Sequence, residues 1–476
     1  MFLFSTGILL TVFKMKNETS LSEENENKPT QKEYTNKGLI NSSRSFITRP
    51  QTSSNYYTVA KETKHVSVEP RFSEKHFINS QFKHQELKNP ASTDWIQVRK
   101  GLCLYSAFWD DRKNVKNSPF IRIFGIFLQF LTIKEKEEYF YGLTCLLRSD
   151  GSVFPGVATM YNMDDPYDKN LYVVITCSPY NETSTVPKNV SIFYHNSSHA
   201  LNWMPVTSFP GKSLRSKGRI AACVKPLYGP FTDKDLLAQF LAYYTIIGID
   251  HFYIYNNLSS TEVSEVISNV KDKGVSITII PWIIPYQPQI TIQPTRFLER
   301  TMLQDCYYRR MFHYEYVMNV DVDEFIVLKQ HSSIQLMLKT LSSSGRFGYF
   351  TFSEVRFCLQ LPSYSNIIPN LTRSDQTAVS KLVSLAKVIR TPYNKAWWWR
   401  KYIVKPEMVE YFGVHFVTKR LPGLKLLDVS PEIALMHHYR SKLCDYKSEK
   451  NVYDPFLPKT YWKKMLRYLR DWGVLQ

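Results

Sequence analysis

The sequence predicts an α/β protein, a mostly parallel sheet flanked by helices and preceded by a small β-rich module. Two observations carry this. From Arg219 to Leu328 strand-like and helix-like stretches alternate, the rhythm of a parallel sheet with helical crossovers. From Trp95 to about Lys217, apolar runs such as FIRIFGIFLQF (Phe120 to Phe130) and LYVVITC (Leu171 to Cys177) are separated by turn clusters, among them Arg148-Ser149-Asp150-Gly151. The expected organisation is a short apolar segment over 1–16, a flexible polar stalk over 17–94 and the β-rich module over 95–217. The α/β domain follows over 218–445, and a basic tail over 446–476.

The elements follow in order. Met1 to Phe13, MFLFSTGILLTVF, is apolar and is followed by Lys14 and Lys16. It is shorter than the ~20 residues that cross a bilayer. It reads as a short signal-anchor-like segment, with a start-site artefact as the alternative. Asn17 to about Asp94 is rich in Ser, Thr, Asn, Glu and Lys and buries too little apolar surface to fold, hence a stalk. RIAACVKPLYG, from Arg219, is a strand running into a Pro/Gly loop. Thr232 is the expected N-cap of a helix over Asp233 to Ile247, which Gly248 ends. HFYIYN (His251 to Asn256) is the second strand, Thr261 to Lys273 the second helix, and VSITIIPW (Val275 to Trp282) the third strand. A helix over Thr295 to Phe312 then delivers the chain to YVMNVDVDEF.

Composition narrows the function classes. The net charge is +18 in 476 residues, but the basic residues are scattered and no zinc-finger or RNA-binding signature accompanies them. A phosphorylated small molecule or an anionic membrane surface suits this field better than nucleic acid does. Seven cysteines form no CxxC pair, which disfavours structural zinc. Sequons stand at Asn17, Asn41, Asn181, Asn189, Asn196, Asn257 and Asn370. With dispersed cysteines they fit a secretory-pathway chain with some disulfides and one free thiol; a cytosolic chain with buried thiols is the alternative.

The chemistry concentrates in YVMNVDVDEFIVL, Tyr316 to Leu328. On an extended strand Asp321 and Asp323 leave the same face. Three readings are open: turn chemistry, a divalent-metal site, or a carboxylate dyad for acid/base work. Two carboxylates suit Mg²⁺ or Mn²⁺, which bind through few protein ligands plus phosphate oxygens. Ligands in parallel sheets gather beyond the carboxyl ends of the strands, and this place at the end of the fourth strand puts the metal reading first.

YVMNVDVDEFI, with CVKPLYGPFTDKDLLAQFLAYYTIIGIDHFYIYNN before it, resembles the glycosyltransferase family 92 domain. So do SAFWDDR (Ser106 to Arg112), RKYIVKPEMVEYFGVHF (Arg400 to Phe416) and MHHYR (Met436 to Arg440), in family order over roughly 104–440. The resemblance implies a GT-A type nucleotide-diphospho-sugar transferase fold and an inverting transfer of a hexose. It further implies galactose from UDP-galactose with Mn²⁺, a glycoprotein or oligosaccharide acceptor with core fucose of N-glycans as one example, and single-pass type II placement in the Golgi membrane.

In that frame Asp321 and Asp323 hold the metal, and GT-A enzymes often add a histidine: His415 first, then His438. Lys401, Lys405 and Arg440 are candidate diphosphate contacts, and Tyr255 and Asn256 candidate neighbours of the uridine. The Asn257 sequon is expected to carry no glycan. Glu354 and Glu324 are candidate general bases, with Asp375 kept as a third. Trp397, Trp398 and Trp399 offer faces for a sugar or pack in the core. The competing function is a catalytically inactive paralogue that binds glycans or serves as a scaffold; a nucleic-acid binder has no motif behind it.

Overall fold

The computed structural model describes residues 95–99, 101–127, 138, 141–161, 172–180, 185–194, 202–209, 216–283, 298–343, 345, 347–364, 366–393, 399–441 and 450–475. The apolar N-terminus, the polar stalk, Trp397 and Trp398 lie outside the described residues.

The first eight strands are β1 (Ile96–Arg99), β2 (Leu102–Asp110), β3 (Phe120–Phe127), β4 (Leu143–Ser149), β5 (Ser152–Tyr161), β6 (Tyr172–Pro179), β7 (Asn189–Tyr194) and β8 (Met204–Thr207). They form one sheet in the order β1-β2-β3-β6-β5-β4-β7-β8, and β8 pairs back onto β2 to close it. Closure removes the free edges that a β-rich module would otherwise expose. Leu104, Ile121, Ile123, Val173, Ile175 and Val190 pack in one of its cores. The Cys145–Cys177 disulfide ties β4 to β6.

Four parallel strands follow: β9 (Ser216–Phe231), β10 (His251–Ser259), β11 (Ile277–Pro281) and β12 (Tyr314–Val320). Their crossovers carry α1 (Lys234–Ile246), α2 (Thr261–Asp272) and α3 (Glu299–Arg310). The N-cap of α1 is Asp233, whose side chain accepts from the Leu236 N–H, rather than Thr232. A carboxylate also complements the positive end of the helix dipole.

The sheet order is β11-β10-β9-β12, continued by β17 (Lys401–Val404), β14 (Phe347–Phe352) and β20 (Lys425–Asp428). In chain order the parallel strands thus stand 3-2-1-4. The winding reverses between β9 and β12, and that is where an open parallel sheet leaves a crevice at its carboxyl edge.

A further sheet runs β13-β21-β15-β16-β22, from β13 (Glu324–Leu328), β15 (Glu354–Cys358), β16 (Ile389–Arg390), β21 (Ala434–Arg440) and β22 (Val452–Tyr453). Strands β18 (Val409–Phe412) and β19 (Val417–Arg420) pair as a hairpin. The remaining helices are α4 (Ile334–Ser343), α5 (Arg373–Lys381), α6 (Val383–Ala386) and α7 (Phe456–Asp471).

The basic tail beyond residue 446 is mainly helical where it is described. Helix α7 buries Leu457, Tyr461, Met465, Leu466 and Leu469 in the core shared with α1 and β13. The Tyr461 hydroxyl donates to the Leu328 carbonyl at 3.1 Å. From α1, Tyr243 donates to the Ile326 carbonyl and Tyr244 to the Glu324 carbonyl. Three hydroxyls therefore satisfy the side of β13 that no strand covers among the described residues. Leu466→Ala is expected to lower stability by about 2–5 kcal/mol, read from urea unfolding of the purified chain.

Candidate active site

Strand register builds the site. Val224 of β9 stands opposite Val320 of β12, so Lys225 and Asp321 are the next residues of two parallel neighbours. On the other side of β12, β17 runs antiparallel with Tyr402 opposite Asn319, which brings Lys401 beside the same strand end. The two ammonium groups hold Asp321 between them, Lys225 Nζ at 2.8 Å from Oδ2 and Lys401 Nζ at 3.3 Å from Oδ1. Burial alone would raise the Asp321 carboxyl; the two lysines outweigh it and hold the group well below the ordinary carboxylate range.

The strand ends at Val320, and Asp321 to Glu324 form a turn closed by the Glu324 N–H donating to the Asp321 carbonyl at 3.0 Å. The expectation that Asp321 and Asp323 leave one face of a strand is therefore corrected: the turn sends them to different partners. Asp323 Oδ2 accepts from His438 Nε2 at 3.2 Å. His438 lies on β21, opposite Glu324 of β13 and Arg356 of β15. Its Nδ1 donates to Glu354 Oε1 at 2.7 Å.

Both partners are carboxylates, so both ring nitrogens donate and the ring is an imidazolium. Burial lowers the His438 pKa, but the hydrogen bonds to Asp323 and Glu354 outweigh it and lift it to about 10. The expected metal-ligand role of His438 is corrected accordingly, because a doubly protonated ring has no lone pair to give.

His415 is the opposite case. Its Nδ1 donates to the Arg400 carbonyl at 3.2 Å, and burial with the charges of Lys401 and Lys225 keeps its pKa well below the ordinary value. The ring is neutral, with the Nε2 lone pair as its ligating atom. Buried Asn319 holds this loop to β12 by donating to the Val414 carbonyl at 2.8 Å.

Glu324 and Glu354 are 2% exposed and brace the turn. Glu324 Oε2 accepts from the Asp321 N–H at 2.9 Å and lies 3.3 Å from Lys401 Nζ; burial and the Asp321 charge raise its pKa. For Glu354, burial is outweighed by hydrogen bonds from His438 and Arg356, and its pKa is lowered. Both carboxyls are committed to internal partners, so the structure corrects their placement at an acceptor hydroxyl. Asp375 lies on α5, paired with Arg470 of α7 at 2.7 Å.

Glu299 is the carboxylate beside the cleft. It opens α3, and its Oε2 lies 3.2 Å from Lys225 Nζ. The cleft, about 240 Å³, is lined by Lys225, Pro226, Leu227, Phe231, Glu299, Asp321 and Val322. The Cys223–Cys306 disulfide joins β9 to α3 close by. Neither Lys225 nor Glu299 stood among the sequence candidates. The rule that ligands gather where the strand order reverses would have found Lys225, had the neighbour of β12 been known.

The remaining candidates divide. Arg440 is two residues beyond His438 on β21, on the same strand face, and its Nε has no hydrogen-bond partner among the described residues. Asn256 sits near the carboxyl end of β10, its side chain accepting from the Ser259 N–H; Asn257 pairs with Tyr228 of β9.

Tyr255 is corrected: it is fully buried and donates to Asp305 of α3 at 2.6 Å. Lys405 is corrected too: it pairs with Glu315 at 3.1 Å near the amino end of β12, about 13 Å along the strand from Lys401 at ~3.3 Å per residue. Trp399 packs edge-on to His415 under the Arg356 guanidinium.

No three His, Cys, Asp or Glu side chains form a ready-made metal cage among the described residues. By type, the carboxylates of Asp321 and Asp323 and the neutral ring of His415 are donors that a hard divalent ion with few protein ligands accepts. Lys225 and Lys401 each engage one oxygen of Asp321, and His438 engages one oxygen of Asp323. Mg²⁺ and Mn²⁺ complete such sets with phosphate and water oxygens.

The His438 pairing carries a definite pH signature. Its folded pKa of about 10 lies above the ordinary 6.5, so its stabilisation is full below pH 6.5, declines above it and is gone once the pH has passed through about 10. The melting-temperature gap between the native chain and His438→Gln, followed by calorimetry from pH 6 to pH 10, is expected to shrink steadily.

A family model described as "Glycosyltransferase family 92" matches residues 218–471, a range that begins after the barrel and extends through α7. A glycosyltransferase family 92 protein of Ricinus communis is 22% identical over 275 residues, 56% of this chain and 40% of the relative. The beta-1,4-galactosyltransferase galt-1 of Caenorhabditis elegans is 25% identical over 227 residues, 47% of this chain and 48% of the relative. The chain thus spans less than half the length of these two relatives.

Among solved structures, glucosyl-3-phosphoglycerate synthase from Mycobacterium tuberculosis, in complex with Mn²⁺, UDP and glucosyl-3-phosphoglycerate, is 10% identical with a TM-score of 0.19. The match covers 40% of this chain and 58% of that one. TarS 1-349 of S. aureus, in complex with UDP, is 11% identical with a TM-score of 0.24, over 47% and 60%. At these TM-scores the likeness carries no argument about layout. The family match spans more than half of the sequence, and the chain belongs to glycosyltransferase family 92.

Proposed function

We propose that the chain transfers a hexose, galactose from UDP-galactose, to a glycan acceptor in an inverting, divalent-ion-dependent reaction. The observation behind this reading is the Asp321 turn at the strand reversal between β9 and β12, with lysines and a cleft beside it. Family membership supports the reaction class, and a galactosyltransferase among the relatives is the reason galactose is the sugar we favour. A core fucose of an N-glycan is the acceptor we favour, and the setting we propose is the Golgi membrane, with the N-terminal apolar segment as a type II anchor.

In this reading Asp321 and Asp323 hold Mn²⁺ or Mg²⁺ with the neutral His415 as the third ligand. The ion when bound is a Lewis acid that stabilises charge building on the leaving diphosphate. This chain's own residues do the rest. Lys401 and Glu324 fix the turn, and the imidazolium of His438, held by Glu354, orients Asp323. Lys225 and Arg440 present cations to the phosphates, where preorganised charge lowers the barrier most. Phe231 and Leu227 give the cleft an apolar wall.

Asp323→Ala is expected to lower UDP affinity measured with Mn²⁺ by about 10–100-fold and to abolish donor hydrolysis across a panel of UDP-sugars. Unchanged ion-dependent affinity would overturn the reading. Tight UDP binding by the native chain without turnover of any donor would mark a non-catalytic binding paralogue instead.

A further inference from the structure

Resting on the reading above, we propose that Lys225 is an exchangeable counter-cation. It holds Asp321 at Oδ2, and it passes to the donor diphosphate when a divalent ion takes its place.

The two lysines on Asp321 are not equivalent. Lys401 lies within the sheet, its side chain 0% exposed, and it bridges Asp321 Oδ1 and Glu324 Oε2 at 3.3 Å each. Removing it would leave two buried carboxylates facing each other, so Lys401 is a fixed part of the turn. Lys225 stands at the lip of the cleft with 15% of its side chain exposed, between Asp321 Oδ2 at 2.8 Å and Glu299 Oε2 at 3.2 Å.

A divalent ion reaching Asp321 must therefore compete for Oδ2, because Oδ1 belongs to Lys401. Two cations cannot share one carboxylate oxygen at contact distance without strong repulsion. Once displaced, the ammonium remains tethered at the cleft, where phosphate oxygens would replace the one it gives up. Glu299 keeps one contact to the lysine throughout, which makes the exchange a short swing. The arrangement keeps Asp321 neutralised both with and without the ion, and it couples ion binding to the release of a phosphate-binding group.

The test uses the whole chain with Mn²⁺ alone and then UDP at saturating Mn²⁺, both by calorimetry. Lys225→Met is expected to bind Mn²⁺ about tenfold more tightly than the native chain, since its competitor is gone. The same variant should bind UDP about tenfold more weakly in the presence of Mn²⁺, having lost a charge-assisted contact. A merely destabilised protein would move both affinities the same way. Lys225→Arg, which keeps the charge, should stay within a few-fold of native on both and shows that the position tolerates change.

Mn²⁺ affinity in Lys225→Met that is unchanged or weaker, or UDP affinity that is unchanged, overturns the exchange while leaving the donor site standing. Native UDP affinity that is equal with Mn²⁺ and with a chelator does so as well. Failure of the native chain to bind UDP under any of these conditions overturns both the exchange and the function on which it rests.

Discussion

A carboxylate at the end of a central strand needs a cation, and in this chain most of the site follows from how Asp321 obtains one. Two strands that flank β12 from opposite directions each bring a lysine to the same point, one in parallel register and one in antiparallel register. An unpaired carboxylate there would cost several kcal/mol, so the register of three strands and the turn after β12 are fixed together. The site is thus an electrostatic requirement of the fold before it is a catalytic device. Both oxygens of Asp321 already carry a cation supplied by the chain itself.

The turn is stabilised in the same way from below. Glu324 accepts from the Asp321 amide and sits close to Lys401, while His438 bridges Asp323 and Glu354. Charges of alternating sign run from Glu299 through Lys225, Asp321, Lys401, Glu324 and His438 to Glu354 and Arg356. Such a network is costly when broken at one member and tolerable when complete. Beneath it the tyrosine hydroxyls of α1 and α7 satisfy the β13 backbone, so α7 supports the site although it contributes no group to it.

Much of the α/β part was legible in the sequence because apolar periodicity and glycine stops report local structure. The helices over 233–247 and 261–273 fall within two residues of the observed ones. The strand-end position of Asp321 was legible as well, since counting alternations gives the fourth strand. What was not legible depends on facing and direction. Tyr255 and Asn256 are adjacent, and a strand sends neighbours to opposite faces; nothing local says which face meets α3. Lys401 and Lys405 share a face but lie at opposite ends of β12, and only the antiparallel sense of β17 decides between them. Lys225 and Glu299 were missed because each gains meaning from a partner more than 70 residues away.

The barrel ahead of the matched family range has a physical tie to the site. Asp110 and Arg112, both in SAFWDDR, form a buried bidentate pair at 2.8 Å per contact, and Arg112 also donates to the Val409 carbonyl at 2.6 Å. Arg122 of β3 lies 3.3 Å from Asp110 and 3.4 Å from Glu410, and it donates to Tyr411. The Tyr308 hydroxyl of α3 receives Arg112 and donates to the Glu410 carbonyl, while Thr301 donates to the Gly125 carbonyl of β3. SAFWDDR and the VEYF stretch (Val409 to Phe412) of a second motif, RKYIVKPEMVEYFGVHF, therefore meet at this junction, and α3 is clamped between them, while His415 further along the second motif stands beside Lys401. Because α3 opens with Glu299 and is joined to β9 by Cys223–Cys306, fixing that helix against the barrel also fixes the carboxylate that holds Lys225. Asp110 and Arg112 are not among the residues that line the cleft, and they bear on it through the position of one helix.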